Sequence, residues 1–292
     1  MNYRHHYHAG NYADVFKHVL LLLLVRGLQR KEKGFLYLDT HAGRGGYDLS
    51  VAPVLPDGRQ RAPEWPAGIG RLWGRPGLGP VLEDFLGLLR RYEERKGVAG
   101  GSPAAPSHYP GSPWIVRLLA RPQDRLALCE LREDDAEALS HEFRDAERVV
   151  VRVMDGYTAL KAMLPPPERR ALVLIDPPFE SKGEFGAVLG GLREALRRFP
   201  GGTYAVWYPV TERARADEFH REVTELAVPA LVAELAVAGE GSAVRMKGCG
   251  VLVLNPPWRI EGEIRPVLPV LADALRADAG ASARAWWLVP ER

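Results

Sequence analysis

Cysteine is nearly absent from this sequence, which has two cysteines among 292 residues. Cys129 and Cys249 lie far apart and neither belongs to a C-x-x-C pair, so the usual zinc patterns and a disulfide framework are excluded. We interpret both as small core residues. Long hydrophobic runs are also missing, because the longest, residues 19–25, is far shorter than the about 20 residues that a membrane-spanning helix needs.

The chain also lacks a large charge of either sign, with a formal net charge of +2. Basic character is concentrated in residues 1–34, which contain six Lys/Arg and two Asp/Glu. A docking patch for a polyanion and a solvated helix end both explain this excess, and charge alone favours the helix end. The opening does not resemble a signal peptide because it is rich in histidine and no small-residue cleavage site follows it. We therefore expect a cytoplasmic protein.

Hydrophobic strands alternate with helical segments along most of the chain. Residues 12–31 have helical spacing with Asn11 as the N-cap, and the apolar run 35–38 leads into Asp39 and a glycine-containing turn. Helical segments separate the strands that follow, which are predicted at 125–130, 149–155, 171–176 and 203–210. This alternation is typical of a doubly wound, largely parallel α/β sheet.

Two parts of the chain depart from the alternation. Residues 47–112 are broken by Pro and Gly around one predicted helix at 80–96, and we interpret them as an insertion within a single domain spanning 1–292. Their nearly balanced charge favours a solvated cap, and substrate contact is the alternative. The strands at 231–237 and 248–255 have no helix between them and should form an antiparallel pair at one edge of the sheet.

Four carboxylates follow apolar strands, namely Asp39, Glu130, Asp155 and Asp176. Ligands of open α/β sheets bind beyond the carboxyl ends of the strands, so these side chains are candidates for binding hydroxyls and amines. The loop THAGRGG after Asp39 lacks the dinucleotide pattern G-x-G-x-x-G, which disfavours a nicotinamide dehydrogenase. Glu130 is placed to accept ribose hydroxyls and Asp155 to accept an adenine amine, a combination that suits S-adenosylmethionine.

The segment Asp-Pro-Pro-Phe after the strand at 171–176 fits methylation of an adenine amine. Asp176 and the carbonyl of Pro177 can accept both N–H bonds, the two prolines fix the backbone, and Phe179 offers a stacking face for the base. A simple turn at a strand end also explains the tripeptide taken alone.

A second segment, Asn-Pro-Pro-Trp beginning at Asn255, has the same pattern. The fourth strand of such a sheet lies beside the first, which places Asp176 next to Asp39 and the glycine loop. We therefore assign the catalytic role to Asp176 and a structural or substrate-lining role to Asn255.

Several longer motifs resemble one family closely. YRHHYHAGNYADVFKH at the start, FLYLDTHAGRG, YPGSP, LIDPPFE, YAVWYPV and VLNPPW are similar to segments of the RlmJ family of 23S ribosomal RNA adenine-N6-methyltransferases, and the match spans nearly the whole chain. The resemblance implies a class I S-adenosylmethionine-dependent methyltransferase fold with a small helical insertion after the first strand. It also implies that Asp176 is the catalytic acceptor. Contacts to S-adenosylmethionine are implied for His18, His41, Ser112, Glu130, Asp155 and Gly156, and contacts near the target adenine for Tyr3, His5 and Lys17.

The function that follows is methyl transfer to N6 of one flipped-out adenine in 23S rRNA, naked or partly assembled. The resemblance requires no metal, although His5, His6 and His8 would otherwise suggest one, and we expect a monomer that does not bind membranes. A DNA adenine-N6 methyltransferase and a non-catalytic RNA-binding assembly factor with this fold are the alternatives.

Overall fold

The computed structural model describes residues 7–51, 62–98, 104–244 and 246–291. In these residues eight strands form one mixed sheet in the order β10-β8-β9-β7-β6-β1-β4-β5. Their bounds are β1 Leu36–Asp39, β4 Arg125–Glu130, β5 Val149–Val153, β6 Ala171–Ile175, β7 Thr203–Val210, β8 Ala230–Ala236, β9 Gly248–Leu254 and β10 Ser282–Val289. Two further strands, β2 Gly46–Asp48 and β3 His108–Pro110, pair separately.

Helices cover both faces of the sheet. They are α1 Tyr12–Gln29, α2 Pro80–Arg95, α3 Ser112–Leu119, α4 Glu133–Glu142, α5 Gly156–Met163, α6 Glu184–Arg198, α7 Arg213–Thr224, α8 Ile260–Ile264 and α9 Leu268–Leu275. One buried cluster includes α1, α2 and α3, and a second includes α5, α6 and α7. Among the described residues, no helix is long and apolar enough to cross a membrane.

Five neighbouring strands, from β5 through β4, β1 and β6 to β7, run parallel, and β9 is inserted antiparallel between β7 and β8. This is a doubly wound, largely parallel α/β sheet with antiparallel strands at one edge, as the sequence predicted. The predicted antiparallel pair of β8 and β9 is confirmed. The outermost strand is β10, which pairs with β8 and which the sequence analysis did not predict.

Helix α1 is central to the packing. Asn11 caps it as predicted, because its side chain accepts hydrogen bonds from the amides of Ala13 and Asp14, both at 2.9 Å. The apolar run 19–25 is buried on every side, since α1 lies on β6 and β9 and is covered by α2, α3 and α8. A hydrophobic stripe all around a helix is expected for such a position.

The segment predicted as an insertion begins and ends at paired strands, because β2 and β3 are antiparallel neighbours. Between them lie α2 and short 3₁₀ turns at Trp65–Ala67 and Ile69–Arg71. Gly46 allows the close approach of α2, since a Cβ there would lie 1.8 Å from the Tyr92 hydroxyl. Residues 52–61 and 99–103 of the predicted insertion lie outside the described residues.

Asn255 is a structural residue. Because β9 runs antiparallel, its end lies at the opposite edge of the sheet from the end of β6. The Asn255 amide donates to the carbonyls of Pro200 at 2.8 Å and Gly202 at 2.9 Å, and its φ of 47° is in the left-handed region. The side chain therefore ties the end of β9 to the turn before β7.

We predict that Asn255→Ala lowers the free energy of unfolding by about 1–3 kcal/mol, since two side-chain hydrogen bonds are lost. Asn255→Gly should cost less, because glycine adopts the positive φ without strain. Urea unfolding of both variants tests this. Equal stability of Asn255→Ala and the parent protein would contradict the structural role.

Candidate active site

A cavity of about 830 Å³ opens at the carboxyl edge of the parallel strands. Its walls come from α1, the glycine loop after β1, the start of α3 and the ends of β4, β6 and β7. Predicted site residues that line it are Lys17, His18, His41, Ser112, Glu130, Asp176, Pro177 and Phe179. The structure thus brings together most of the residues selected from sequence.

Two other predicted positions that the structure describes, Asp155 and Gly156, do not line the cavity. Tyr3 and His5 lie outside the described residues, and so does His6 of the possible metal cluster. Asp155 caps α5, accepting a hydrogen bond from the Thr158 amide at 2.8 Å. Gly156 packs directly against the cavity wall at His41, where a side chain would not fit. A Cβ at this position would lie 2.9 Å from Cε1 of His41 and 2.4 Å from the Thr40 carbonyl oxygen.

Glu130 is held by the backbone of the two adjacent loops. Its carboxylate accepts from the Gly43 amide and from the Arg132 amide, both at 2.8 Å. Gly43 has a φ of 59°, which glycine adopts without strain, so the loop can turn its amide toward the carboxylate. Burial raises the pKa of Glu130. The carboxylate therefore enters the cavity in a fixed orientation.

Asp39 lies behind this wall rather than in it. It is fully buried and accepts hydrogen bonds from the Tyr37 hydroxyl at 2.7 Å and the Ser112 hydroxyl at 2.6 Å. Burial raises the pKa of Asp39 to about 6, although these two donors oppose the shift. Asp39 thus fixes the Ser112 hydroxyl at the start of α3, and Ser112 is the residue of this group that reaches the cavity.

The two predicted histidines are fixed by hydroxyl groups. His18 Nδ1 is hydrogen-bonded to the Tyr109 hydroxyl at 2.9 Å, and His41 Nδ1 to the Thr40 hydroxyl at 2.8 Å. Burial lowers the pKa of His41 to about 4. His41 is therefore neutral at physiological pH and offers hydrogen bonding rather than charge.

Lys17 makes a contact that the sequence analysis did not foresee. Its ammonium lies 2.8 Å from Oδ1 of Asp14 and 2.6 Å from Oδ2 of Asp176, and the Lys17 side chain is only 6% exposed. Burial alone lowers the pKa of Lys17, but the two carboxylates outweigh it and raise the pKa well above its usual value. Helix α1 is thereby joined to the end of β6 through a buried charge.

Phe179 is held in an unusual backbone conformation. Its φ is 50°, a left-handed value that is costly for an aromatic residue. The ring packs against Phe185, with centroids 4.9 Å apart, and against Trp207 of β7, with centroids 5.8 Å apart. This packing turns a half-buried ring toward the cavity, where Pro177 and Trp207 also lie.

Some cavity residues were missed from the sequence, including Asp14, Tyr12 and Trp207. Asp14 stands three residues before Lys17 on the same helix, a spacing that indicates an ion pair but not a third partner. Trp207 is inside an apolar strand, and the motif YAVWYPV that contains it supported the family resemblance without assigning the tryptophan a role. His8, one of the residues considered for a metal site, has Nδ1 2.9 Å from a Glu64 carboxylate oxygen.

The burial of Asp39 predicts a specific pH dependence. The folded protein binds the carboxyl proton of Asp39 more tightly than the unfolded chain does. Ionisation of Asp39 therefore lowers the free energy of unfolding as the pH rises from about 4 to about 6, and a further rise in pH has no additional effect through this group. The free energy of unfolding of Asp39→Asn minus that of the parent protein should therefore increase between pH 4 and pH 6. The increase should be roughly 3 kcal/mol, because each pKa unit corresponds to about 1.4 kcal/mol.

Urea unfolding at several pH values measures this difference. Asp145→Asn is the control, because the Asp145 side chain is 94% exposed and its substitution should give a difference that stays nearly constant. A difference for Asp39→Asn that does not change between pH 4 and pH 6 would contradict the stated cause.

Comparison with known proteins places this site in context. The family model described as "Ribosomal RNA large subunit methyltransferase D, RlmJ" matches residues 32–289. The chain is 39% identical to "Ribosomal RNA large subunit methyltransferase J" of Escherichia coli and 37% identical to the protein of that name in Haemophilus influenzae, over the full length of each. A crystal structure of a Legionella pneumophila protein aligns with a TM-score of 0.84 at 33% identity, covering 96% of this chain and 98% of that one.

Proposed function

The chain belongs to the RlmJ family of ribosomal RNA large subunit methyltransferases, and on that basis we propose that it methylates N6 of one adenine in 23S rRNA, naked or partly assembled, using S-adenosylmethionine. The observation that carries the proposal is the Asp176 carboxylate at the end of β6, which faces the same cavity as Glu130 and the ring of Phe179. That arrangement provides an amine acceptor, a ribose acceptor and a stacking surface in one site.

The cavity residues fit S-adenosylmethionine. When bound, it supplies an electrophilic methyl carbon on a sulfonium. Glu130 would accept the ribose hydroxyls, since loop amides already orient its two oxygens. The neutral ring of His41 and the hydroxyl of Ser112 would contribute further polar contacts, with His18 beside them. Asp155 is proposed to accept the adenine amine of the cofactor, and Gly156 to keep the wall at His41 free of a side chain.

The target adenine would be bound by the segment after β6. Phe179 stacks on the base, while Asp176 and the Pro177 carbonyl accept the two N–H bonds of its amine. Holding the amine in this way aligns the nitrogen lone pair with the methyl carbon, which supplies much of the rate. As the carbon–nitrogen bond forms, the methyl carbon–sulfur bond would break and S-adenosylhomocysteine would leave as a neutral thioether. The positively charged nitrogen would then release a proton to the Asp176 carboxylate, from which solvent would remove it.

The Lys17 ammonium would keep a carboxylate partner while the adenine amine binds to Asp176. In the structure the ammonium contacts Oδ2 of Asp176 and Oδ1 of Asp14 at once. An amine N–H donated to Asp176 therefore competes with Lys17, and Asp14 remains as the second partner of the ammonium. We propose that Lys17 lies near the target adenine for this reason, and that Tyr3 and His5 also contact the base.

We predict that Asp176→Asn retains cofactor binding and lowers the rate of methyl transfer by about 10²–10⁴-fold, because an amide cannot take up the proton. The measurement combines radiolabelled S-adenosylmethionine with separate pools of unmodified 23S rRNA, 16S rRNA and duplex DNA. Cofactor binding is followed by titration calorimetry in parallel.

Label is expected in 23S rRNA alone, at one N6-methyladenine. Label in duplex DNA would instead indicate a DNA methyltransferase, and no measurable cofactor binding would indicate a non-catalytic assembly factor. Equal rates for Asp176→Asn and the parent protein would contradict the role of Asp176.

A further inference from the structure

The end of the sheet opposite the cavity carries a concentration of exposed cations. The strands β1, β5 and β6 begin here, and β9 ends here. We define the basic end face by six exposed residues on these connections: Lys31, Lys33, Arg148, Arg169, Trp258 and Arg259. None of its five cations forms an ion pair with a carboxylate of the described residues.

Further arginines support the turn that carries the two lysines. Arg121 donates to the carbonyls of Gln29 at 3.1 Å and Lys31 at 2.9 Å, and Arg170 donates to the Lys33 carbonyl. Burial lowers the pKa of Arg170, and the nearby charge of Arg121 lowers it further. The charge of Arg121 is balanced by Asp124, whose carboxylate lies 3.0 Å away, and two exposed carboxylates, Glu32 and Glu147, adjoin the cations in sequence. The five cations of the basic end face outnumber these two acids, which gives this end of the molecule a positive field.

The arginines of the basic end face occupy positions where glycine would be more stable. Arg148, Arg169 and Arg259 have φ values of 62°, 54° and 60°, all in the left-handed region. Each such conformation costs an ordinary side chain about 1 kcal/mol relative to glycine. Three exposed arginines in this conformation on one face indicate that their guanidinium groups serve a function other than stability.

Trp258 is displayed beside these charges. The side chain is 65% exposed, and of the large exposed hydrophobic residues that the structure describes it is the one on this face. The preceding prolines and the bonded amide of Asn255 fix the backbone, and the Arg30 side chain donates to the Trp258 carbonyl. The Arg259 guanidinium lies 4.0 Å from the ring centroid, so the ring already has a cation on one side.

We propose that the basic end face is a second RNA-docking surface, which binds phosphates of the substrate rRNA away from the methylated adenine while Trp258 stacks on an unpaired base. This rests on the proposed function of the chain. Cations with a single aromatic ring suit structured RNA, whereas a lipid surface would require a larger apolar area. The strands separating the two surfaces span roughly 20 Å at 3.3 Å per residue, a distance that a large folded RNA bridges easily.

The test uses Arg148→Gly together with Arg169→Gly, which removes two guanidinium groups and relieves the backbone at both positions. The slope of log affinity for full-length 23S rRNA against log salt concentration should fall in magnitude by about 2, and KM for that RNA should rise roughly tenfold. The melting temperature should not fall, because glycine is favoured at both positions.

Ala227→Gly is the matched control. Ala227 is also exposed and has a φ of 54°, so this substitution gives the same backbone relief without removing a charge. It should leave RNA affinity and the salt slope unchanged.

Trp258→Ala should weaken binding of the full-length RNA as well, with little change in the salt slope.

The shortest fragment of 23S rRNA that still accepts methyl provides the second arm. The double variant should methylate it with unchanged kcat and KM, because the fragment does not reach the basic end face. The proposal would be overturned if the double variant had the same salt slope and the same affinity for full-length RNA as the parent protein. It would also be overturned if the double variant lost binding to vesicles containing phosphatidylglycerol while its RNA binding stayed intact. Salt-dependent binding that needs these arginines, without methylation of any RNA by the parent protein, would support the surface and contradict the proposed function.

Discussion

The buried ammonium of Lys17 is the interaction on which the site depends. An ammonium without partners cannot be buried at acceptable cost, so the two carboxylates at 2.8 and 2.6 Å must stay where they are. One of them is on α1 and the other follows β6. The contact therefore fixes the position of α1 along the sheet, and with it the wall of the cavity that α1 provides.

Residues of the same chemical type acquire different roles at the carboxyl edge because their surroundings differ. Asp39 is enclosed by hydroxyl groups and orients Ser112, whereas Glu130 is half-buried and presents oxygens held by loop amides. Asp155 begins a helix, and Asp176 faces the cavity beside Lys17. Their shared position at strand ends makes all four carboxylates candidate site residues. The burial of each carboxylate and the hydrogen-bond donors around it determine its role.

Local patterns and the resemblance predicted much of this from sequence. The cap at Asn11, the parallel core and the proximity of Asp39 to Asp176 follow from propensity, periodicity and the rules of strand order. The strand β10 was missed although residues 285–289 form an apolar run, because a short apolar run alone does not distinguish a strand from a helix and the pairing with β8 is not visible in the sequence. The bond between Lys17 and Asp176 and the positive φ of Phe179 were also missed, since both depend on contacts between residues far apart in the chain.

The central claim, that a buried charge couples α1 to the end of β6, is tested most directly by a double-mutant cycle on the free energy of unfolding. The cycle compares Lys17→Met, Asp176→Asn and the double variant by urea denaturation at neutral pH. We expect a coupling free energy of about 1–3 kcal/mol, because each single substitution leaves a buried charge with fewer partners. Single costs that add to within about 0.5 kcal/mol would show that the two residues do not interact, and would contradict this account of the site.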